Sequence, residues 1–412
     1  MNLFTLPLTL IYLICFLVQF GLTQNSFNST SSLALPINQF SLSFYRSVHN
    51  LSENVFFSPL SISMMYSMLL RGASGLTAQQ IINTFQYPLS FKTSDEIHAA
   101  FKELVFDYKM IEIRSWQRNF TLKLGNLVLV DKAFPILADY ADHLLNEYHA
   151  SVAEEDFTAE GYQIMNKVNK WVASKTNNKM VKLFNQPFDY LTKLLLINVI
   201  YFEGNWKLPF DRSLTAARTF YNYDGSLGDV QMMSTTGSYR YAEFWHVNMK
   251  MLELPFQGDI SLILILPVEL THQPGLTKFL NSLTTDQLNS MISSLTQQTV
   301  ELSLPKFRLE GRYDLNKILP DMGLFLPFIT NTDFFTISPS EGLKVTDSMH
   351  TSLIQISEEG SQHQTSGSVG SYKLPILARS RGPRFIVNHP FGFIIRDNAY
   401  GINLFLGVIN KL

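Results

Sequence analysis

The sequence predicts an α+β fold, and three observations carry that prediction. Helical apolar spacing dominates the first half of the chain. Long β-branched apolar runs dominate the second half. No linker, repeat or low-complexity block separates the two.

The helices come first. Ser58-Pro59 precedes "LSISMMYSMLLRG", a buried-helix pattern that ends at the stop signal Gly72. "SDEIHAAFKELVFDY" offers Ser94 and Asp95 as caps and sets Ile97, Phe101, Leu104 and Val105 at helical spacing. Gln163 to Lys182 reads as another helix. Alternation from Phe120 to Val130 marks a strand. "KLLLINVIYF" (Lys193–Phe202) is too apolar for a half-exposed strand and is expected at the centre of a sheet, as is Ile260–Pro267. "RFIVNHPFGFIIRD" and "GINLFLGVI" make a strand pair near the end.

Composition narrows the class. The chain has 412 residues, 46% hydrophobic and only 16% charged, which excludes a disordered chain and supports a large core. A net charge of −2 gives no global sign of nucleic-acid binding. The apolar opening "MNLFTLPLTLIYLICFLVQFGLTQ" reads as a secretory signal over residues 1–23, with small residues Gly21 and Thr23 at the cleavage region. Residues 24–412 are then one secreted domain. The opening lacks a basic start, so an uncleaved anchor stays open, although Thr5, Thr9 and Gln19 argue against a span. The single cysteine, Cys15, lies inside this segment. A mature chain without cysteine has no disulfide, no thiol nucleophile and no thiolate metal site. Sequons at Asn28, Asn50 and Asn119 are candidate glycan sites, each also explicable as a chance match.

Catalytic signatures are missing. There is no G-x-S-x-G, H-E-x-x-H, P-loop or G-x-G-x-x-G, and the nine histidines are scattered. Glu154, Glu155 and Asp156 are consecutive, so they cannot all face one ion, and they read as a solvated loop. No enzyme and no cofactor is expected.

An ordered set of segments resembles the serpin family. "NVFFSPLSISMMYSMLLRGASGLT", "VNKWVASKTNNKM", "LLINVIYFEGNWKLPFD", "VQMM", "LELPFQGDISLILILP", "LPKFRLEGRYDLNKILPDMGL", "NHPFGFIIRD" and "LFLGVI" follow in the family's order and cover nearly everything after Phe40. The resemblance implies three β-sheets, eight to nine helices and an exposed reactive loop near the C-terminus, at about 358–384. It implies a monomer that acts as a suicide substrate. A protease cuts the loop and is held as an acyl-enzyme while the loop enters the main sheet as a new strand. Ser58, Asn198 and His350 match a polar cluster where that sheet opens, and Trp206 matches the tryptophan where insertion begins. Ordinary core polar residues are the blander account of the cluster. Asn178 replaces the family's glycine and tolerates the same left-handed backbone.

The loop itself departs from the family. Glu358, Glu359, Gly360 and Ser361 match the hinge of inhibitory members, but Gln362, His363, Gln364, Thr365, Ser366 and Gly367 follow where alanines are usual. In a strand, alternate residues point inward, so Ser361, His363, Thr365 and Gly367 form the inward set. His363 is the misfit, since burying an unpartnered imidazole costs ~1–3 kcal/mol. Counting back from "VNHPF" places the scissile bond at Arg379-Ser380, similar to the Arg-Ser bond of antithrombin-type loops. Counting forward from Glu358 reaches Leu374, where Pro375 obstructs cleavage and Lys373-Leu374 is the basic neighbour. Arg379 makes the loop five residues longer than usual, and Arg381 is a third candidate. All three bases point to a trypsin-like serine protease, whose pocket carries an acid, with clotting proteases among the candidates. Solvated charges without function remain the alternative for these bases. The polar hinge keeps a non-inhibitory carrier or substrate open as the second function. A heparin-like glycosaminoglycan is a candidate partner for Lys102, Lys109, Arg114, Arg118 and Lys123, although Asp95, Glu96, Glu103, Asp107 and Glu112 interleave with them and favour an ordinary mixed surface.

Overall fold

The computed structural model describes residues 29–113, 120–269, 275–330, 332–361 and 382–412. The chain opens with α1 (Ala34–Val48), β1 (Val55–Phe57) and α2 (Pro59–Arg71). Ser58 caps α2 by accepting the Ser61 N–H, Pro59 sits in the first turn, and every residue from Pro59 to Leu70 is buried. Then come α3 (Gly75–Thr84), α4 (Ser94–Ile113), β2 (Phe120–Asp131), α5 (Ala138–Tyr148), β3 (Ser151–Glu155), α6 (Phe157–Lys175) and β4 (Leu194–Gly204). The strand-rich part holds β5 (Ala216–Tyr221), β6 (Leu227–Phe244), β7 (Met249–Pro255) and β8 (Ile260–Pro267). It continues with α7 (Gly275–Ser282), α8 (Thr285–Ser293), β9 (Thr296–Pro305), β10 (Phe307–Asp314) and α9 (Leu315–Ile318). The chain closes with β11 (Val345–Ile356), β12 (Arg384–Ile386), β13 (Phe391–Asp397) and β14 (Ile402–Ile409).

Five strands in the order β10-β11-β4-β2-β3 form the sheet that matters for function. The other nine strands form one hydrogen-bonded network. In it the 18-residue β6 pairs with β5 at its start and β7 at its end, and so joins the two remaining expected sheets.

β4 explains its own sequence. Leu194, Leu196, Ile200 and Phe202 belong to the main core with α2, whereas Leu195, Ile197 and Val199 pack with Ile164, Val168 and Val172 of α6. A strand covered on both faces is apolar almost throughout, and here Asn198 is the buried exception. At the centre of the sheet β11 runs parallel to β4, with Val345 opposite Leu194 and Leu353 opposite Tyr201. A segment leaving β11 and turning back would therefore run antiparallel to both neighbours.

Three local expectations are corrected. The helix expected over Gln163–Lys182 is α6, displaced toward the N-terminus. It starts earlier because the Asp156 carboxylate accepts the Ala159 N–H as cap, and it stops at Lys175. There the Thr176 hydroxyl bonds the Val172 carbonyl at 2.9 Å and accepts the Met180 N–H at 3.1 Å, and Asn177 and Asn178 turn left-handed at φ 49° and 58°. The acids Glu154 to Asp156 are not a solvated loop. Glu154 and Glu155 lie in the edge strand β3, Glu155 pairs with Lys167 at 2.8 Å, and Glu154 accepts the Ile136 N–H at 2.8 Å. "RFIVNHPFGFIIRD" breaks at Asn388 to Pro390 into β12, which pairs with β9, and β13.

Candidate functional site

The site is the seam between β4 and β11 together with the turn above it. Strand register sets a polar row across the sheet: Asn126 of β2 faces Asn198 of β4, Asn198 faces His350 of β11, and His350 faces Tyr313 of β10. The side chains complete that row. Asn198 Nδ2 donates to Asn126 Oδ1 at 2.8 Å, and His350 Nδ1 lies 3.2 Å from Asn198 Oδ1. The Ser58 backbone N–H donates to His350 Nε2 at 3.0 Å, which leaves the ring proton on Nδ1 and makes that nitrogen the donor to Asn198. The Ser61 hydroxyl also donates to Asn198 Oδ1. Ser58, Asn198 and His350 are fully buried. Burial drives the His350 pKa down from 6.5 to about 3, so the ring is neutral. The row ties α2 to three strands and crosses the parallel seam at its middle.

Above the seam the chain reverses. Ser357 and Gly360 exchange both backbone bonds, at 2.8 and 3.2 Å, with Glu358 and Glu359 at the corner. Gly360 also bridges antiparallel to Asn205, just past the end of β4. Ser361 continues that pairing, donating its N–H to the Gly204 carbonyl at 2.7 Å and its hydroxyl to the Phe202 carbonyl at 3.2 Å. Gly360 has φ +144°, and a Cβ there would lie 1.9 Å from the Gly204 oxygen, so only glycine fits this narrow place.

Both corner carboxylates are held. Glu358 is 4% exposed. Lys306 Nζ lies 2.8 Å from its Oε2 and 3.1 Å from its Oε1, the latter with hydrogen-bond geometry, and Thr215 Oγ1 donates to Oε1 at 2.9 Å. Burial pushes this carboxyl up, but Lys306 and Thr215 hold it below the usual carboxylate value. Glu359 accepts from Arg212 Nε at 2.7 Å. Trp206, stacked on Phe256 at 4.2 Å, donates its indole N–H to the Ser357 carbonyl at 2.9 Å and its backbone N–H to the Glu359 carbonyl at 2.8 Å.

The structure thus brings Ser58, Asn198 and His350 into one network and Glu358, Glu359, Gly360, Ser361 and Trp206 into another. Sequence reasoning missed Asn126, Ser61, Thr215, Arg212 and Lys306. His363, Lys373, Leu374, Arg379, Ser380 and Arg381 lie outside the described residues, as do Asn28, Asn119, Arg114, Arg118 and residues 1–23. Asn50 is exposed in the turn after α1. Lys102 and Lys109 are exposed on α4, but Lys123 belongs elsewhere, donating to Asn177 Oδ1 at 2.7 Å beyond α6.

Comparison with known proteins gives matches along nearly the whole chain. Residues 36–412 match the family model described as "Serpin (serine protease inhibitor)". Iripin-8 of Ixodes ricinus is 32% identical over 366 residues, covering 88% of this chain and 89% of the relative. Intracellular coagulation inhibitor 2 of Tachypleus tridentatus is 31% identical over 390 residues, covering 93% and 92%. Among solved structures, human thyroxine-binding globulin complexed with its hormone superposes with a TM-score of 0.83 at 25% identity, covering 94% of this chain and 99% of that one.

Proposed function

The chain belongs to the serpin family, and from that premise we propose that it inhibits trypsin-like serine proteases by inserting its cleaved loop between β4 and β11. The observation that carries the reading is Gly360, seated at the head of the parallel seam and paired with Asn205 on one side and Ser357 on the other. Insertion extends a register that has already begun.

That register can be followed. Each step forward along the loop is one step back along β4 from Asn205 and one step back along β11 from Ser357. His363 then comes opposite Phe202 and Ile354, Thr365 opposite Ile200 and Ser352, and Gly367 opposite Asn198 and His350. The β4 and β11 registers agree, because Ile200 faces Ser352 and Asn198 faces His350 in the present sheet. The inward set is Ser361, His363, Thr365 and Gly367, since their partners Gly204, Phe202, Ile200 and Asn198 share the α2 side of β4. Gly367 enters where the His350–Asn198 bond now closes the seam, and it brings no side chain. The new strand replaces one parallel pairing with two antiparallel ones, each backbone bond worth ~0.5–1.5 kcal/mol. His363 opposes this by meeting the apolar ring of Phe202.

Arg379-Ser380 is the proposed reactive bond, with Lys373-Leu374 as its alternative. Arg or Lys there suits a protease with an acid in its specificity pocket. The similarity to a coagulation inhibitor supports a clotting-type target. Secretion after loss of residues 1–23, a single domain over 24–412, and glycans at Asn28, Asn50 and Asn119 belong to the same reading. The test is incubation with trypsin followed by a denaturing gel and sequencing of the released peptide. A covalent band and a fragment beginning at Ser380 are expected, and Arg379→Ala removes both.

A non-inhibitory carrier is the second reading, favoured by the polar Gln362-His363-Gln364 and the likeness to thyroxine-binding globulin. It requires cleavage with no covalent band.

A further inference from the structure

The hairpin between β6 and β7 ends in an exposed indole. Phe244 pairs with Met249 to close the hairpin, and Trp245–Val247 form one helical turn at its tip. Asn248, left-handed at φ 58°, ends that turn, and the Val268 N–H donates to its carbonyl at 3.0 Å. The tip is thus fixed in place. Trp245 is nevertheless 70% exposed. Few side chains carry as much apolar area, so one left in water on a fixed turn marks a contact surface.

Beside the tip lies a cleft of about 460 Å³, shared with the helix pair α7 and α8. Phe244 and Val247 form one wall, and the buried Phe279, Leu283 and Met291 form the floor. The two sides are tied together: Arg240 of β6 donates from Nη2 to the Ile292 carbonyl of α8 at 2.8 Å. Among the described residues that line the cleft there is no lysine or arginine, and the one acid is the exposed Asp286. The volume is of the order that receives an aromatic side chain. An apolar knob and an apolar hole therefore share one edge of the molecule. None of these residues belongs to the five-stranded sheet or to the turn above its seam.

We propose that this edge is the interface of a homodimer, departing from the monomer that the family resemblance implies. A two-fold axis between knob and hole places Trp245 of each copy in the cleft of the other, a self-matching contact. His246 travels with the knob and brings an imidazole N–H toward Asp286 of the second copy. A cleft with one carboxylate and no basic side chain disfavours an anionic partner, whereas the indole and imidazole beside it supply the apolar body and the N–H donor that it fits. Burying two indoles removes about 300–500 Å² of surface, short of the roughly 1,000 Å² of a specific interface, so Phe244, Val247 and the flanks of α7 and α8 supply the rest. Such an area suits a reversible dimer with a Kd of about 1–100 μM. The dimer leaves the β4–β11 seam uncovered on both copies, so it does not depend on whether the loop traps a protease.

The experiment is sedimentation velocity of the full secreted chain over about 1–200 μM, without protease. The parent is expected to pass reversibly from one chain to two. Trp245→Ser removes the knob and Ser290→Arg blocks the hole, and each is expected to raise the Kd at least about tenfold with an unchanged melting temperature. Mixed in equal amounts, the two variants keep one knob and one hole between them and are expected to associate more tightly than either alone. Should a variant fail to fold, amide exchange of the parent at low and high concentration replaces it, and slowing confined to residues 244–248 and 282–294 is expected. The proposal is overturned by a parent that remains a single chain at about 200 μM, by Trp245→Ser dimers as tight as the parent's, by a mixture no tighter than its parts, by assemblies that persist on dilution, or by exchange unchanged with concentration.

Discussion

His350 donates from Nδ1 to Asn198 Oδ1 at 3.2 Å, and the same two residues are backbone partners across the parallel seam of the five-stranded sheet. One side-chain bond therefore spans the line along which the proposed insertion would part the sheet. His350→Phe would leave the Ser58 N–H and Asn198 Oδ1 each without its imidazole partner in the core. A loss of about 2–4 kcal/mol is expected for the two groups, read as a lower urea midpoint, together with faster polymer formation on native gels.

Acid should weaken the fold through the same ring. The His350 pKa falls to about 3 and that of His98, buried beside the Arg71 guanidinium, to about 4, both from 6.5. Between those values the unfolded chain binds protons that the folded chain refuses. Stability is thus fully present above pH 6.5 and declines as pH falls toward 4 and then 3. Denaturation midpoints measured from pH 7 to pH 4 should fall, and His98→Gln should flatten part of the slope.

The hinge pair supports a second mutation. Lys306→Met leaves the nearly buried Glu358 carboxylate with the Thr215 hydroxyl and its own backbone N–H and no cation. The expected cost is about 2 kcal/mol, less than for a fully buried pair because the Lys306 side chain keeps 28% of its exposure. The turn above the seam should also loosen, detectable as faster amide exchange at Trp206 and Phe210, whose N–H groups bond the Glu359 and Glu358 carbonyls.

The inserted register gives the sharpest substitutions. Gly367→Trp places a large side chain between Asn198 and His350, so the loop should be cut without trapping the protease. His363→Ala removes the imidazole that would meet Phe202 and should raise the trapped fraction. Because insertion buries His363, it favours the neutral ring, so parent trapping should decline below about pH 6.5 while His363→Ala is less affected. A stoichiometry of inhibition titrated for all three proteins at two pH values decides these points.

Much of this was legible in the chain. The largely apolar run of β4 announced a strand buried on both faces, and Ser58-Pro59 announced the start of α2. Ser58, Asn198 and His350 were legible only through their match to the family's polar cluster, since His350 stands among Asp347, Ser348, Thr351 and Ser352. The hinge partners were not legible, because Lys306 lies 52 residues from Glu358, Arg212 147 from Glu359 and Thr215 143 from Glu358. Only the fold brings such pairs together. Asn126 was hidden for another reason: in an alternating strand a polar residue reads as outward, yet here it faces Asn198 in the core. The end of α6 turned on the Thr176 hydroxyl, a local bond that periodicity does not register.

The melting temperature of the protein after a single cut in its loop tests insertion most directly. With the cleaved segment paired on both sides at the β4–β11 seam, the cut protein should melt more than about 10 °C above the intact one. A cut protein that melts at or below the intact temperature would contradict insertion at this seam.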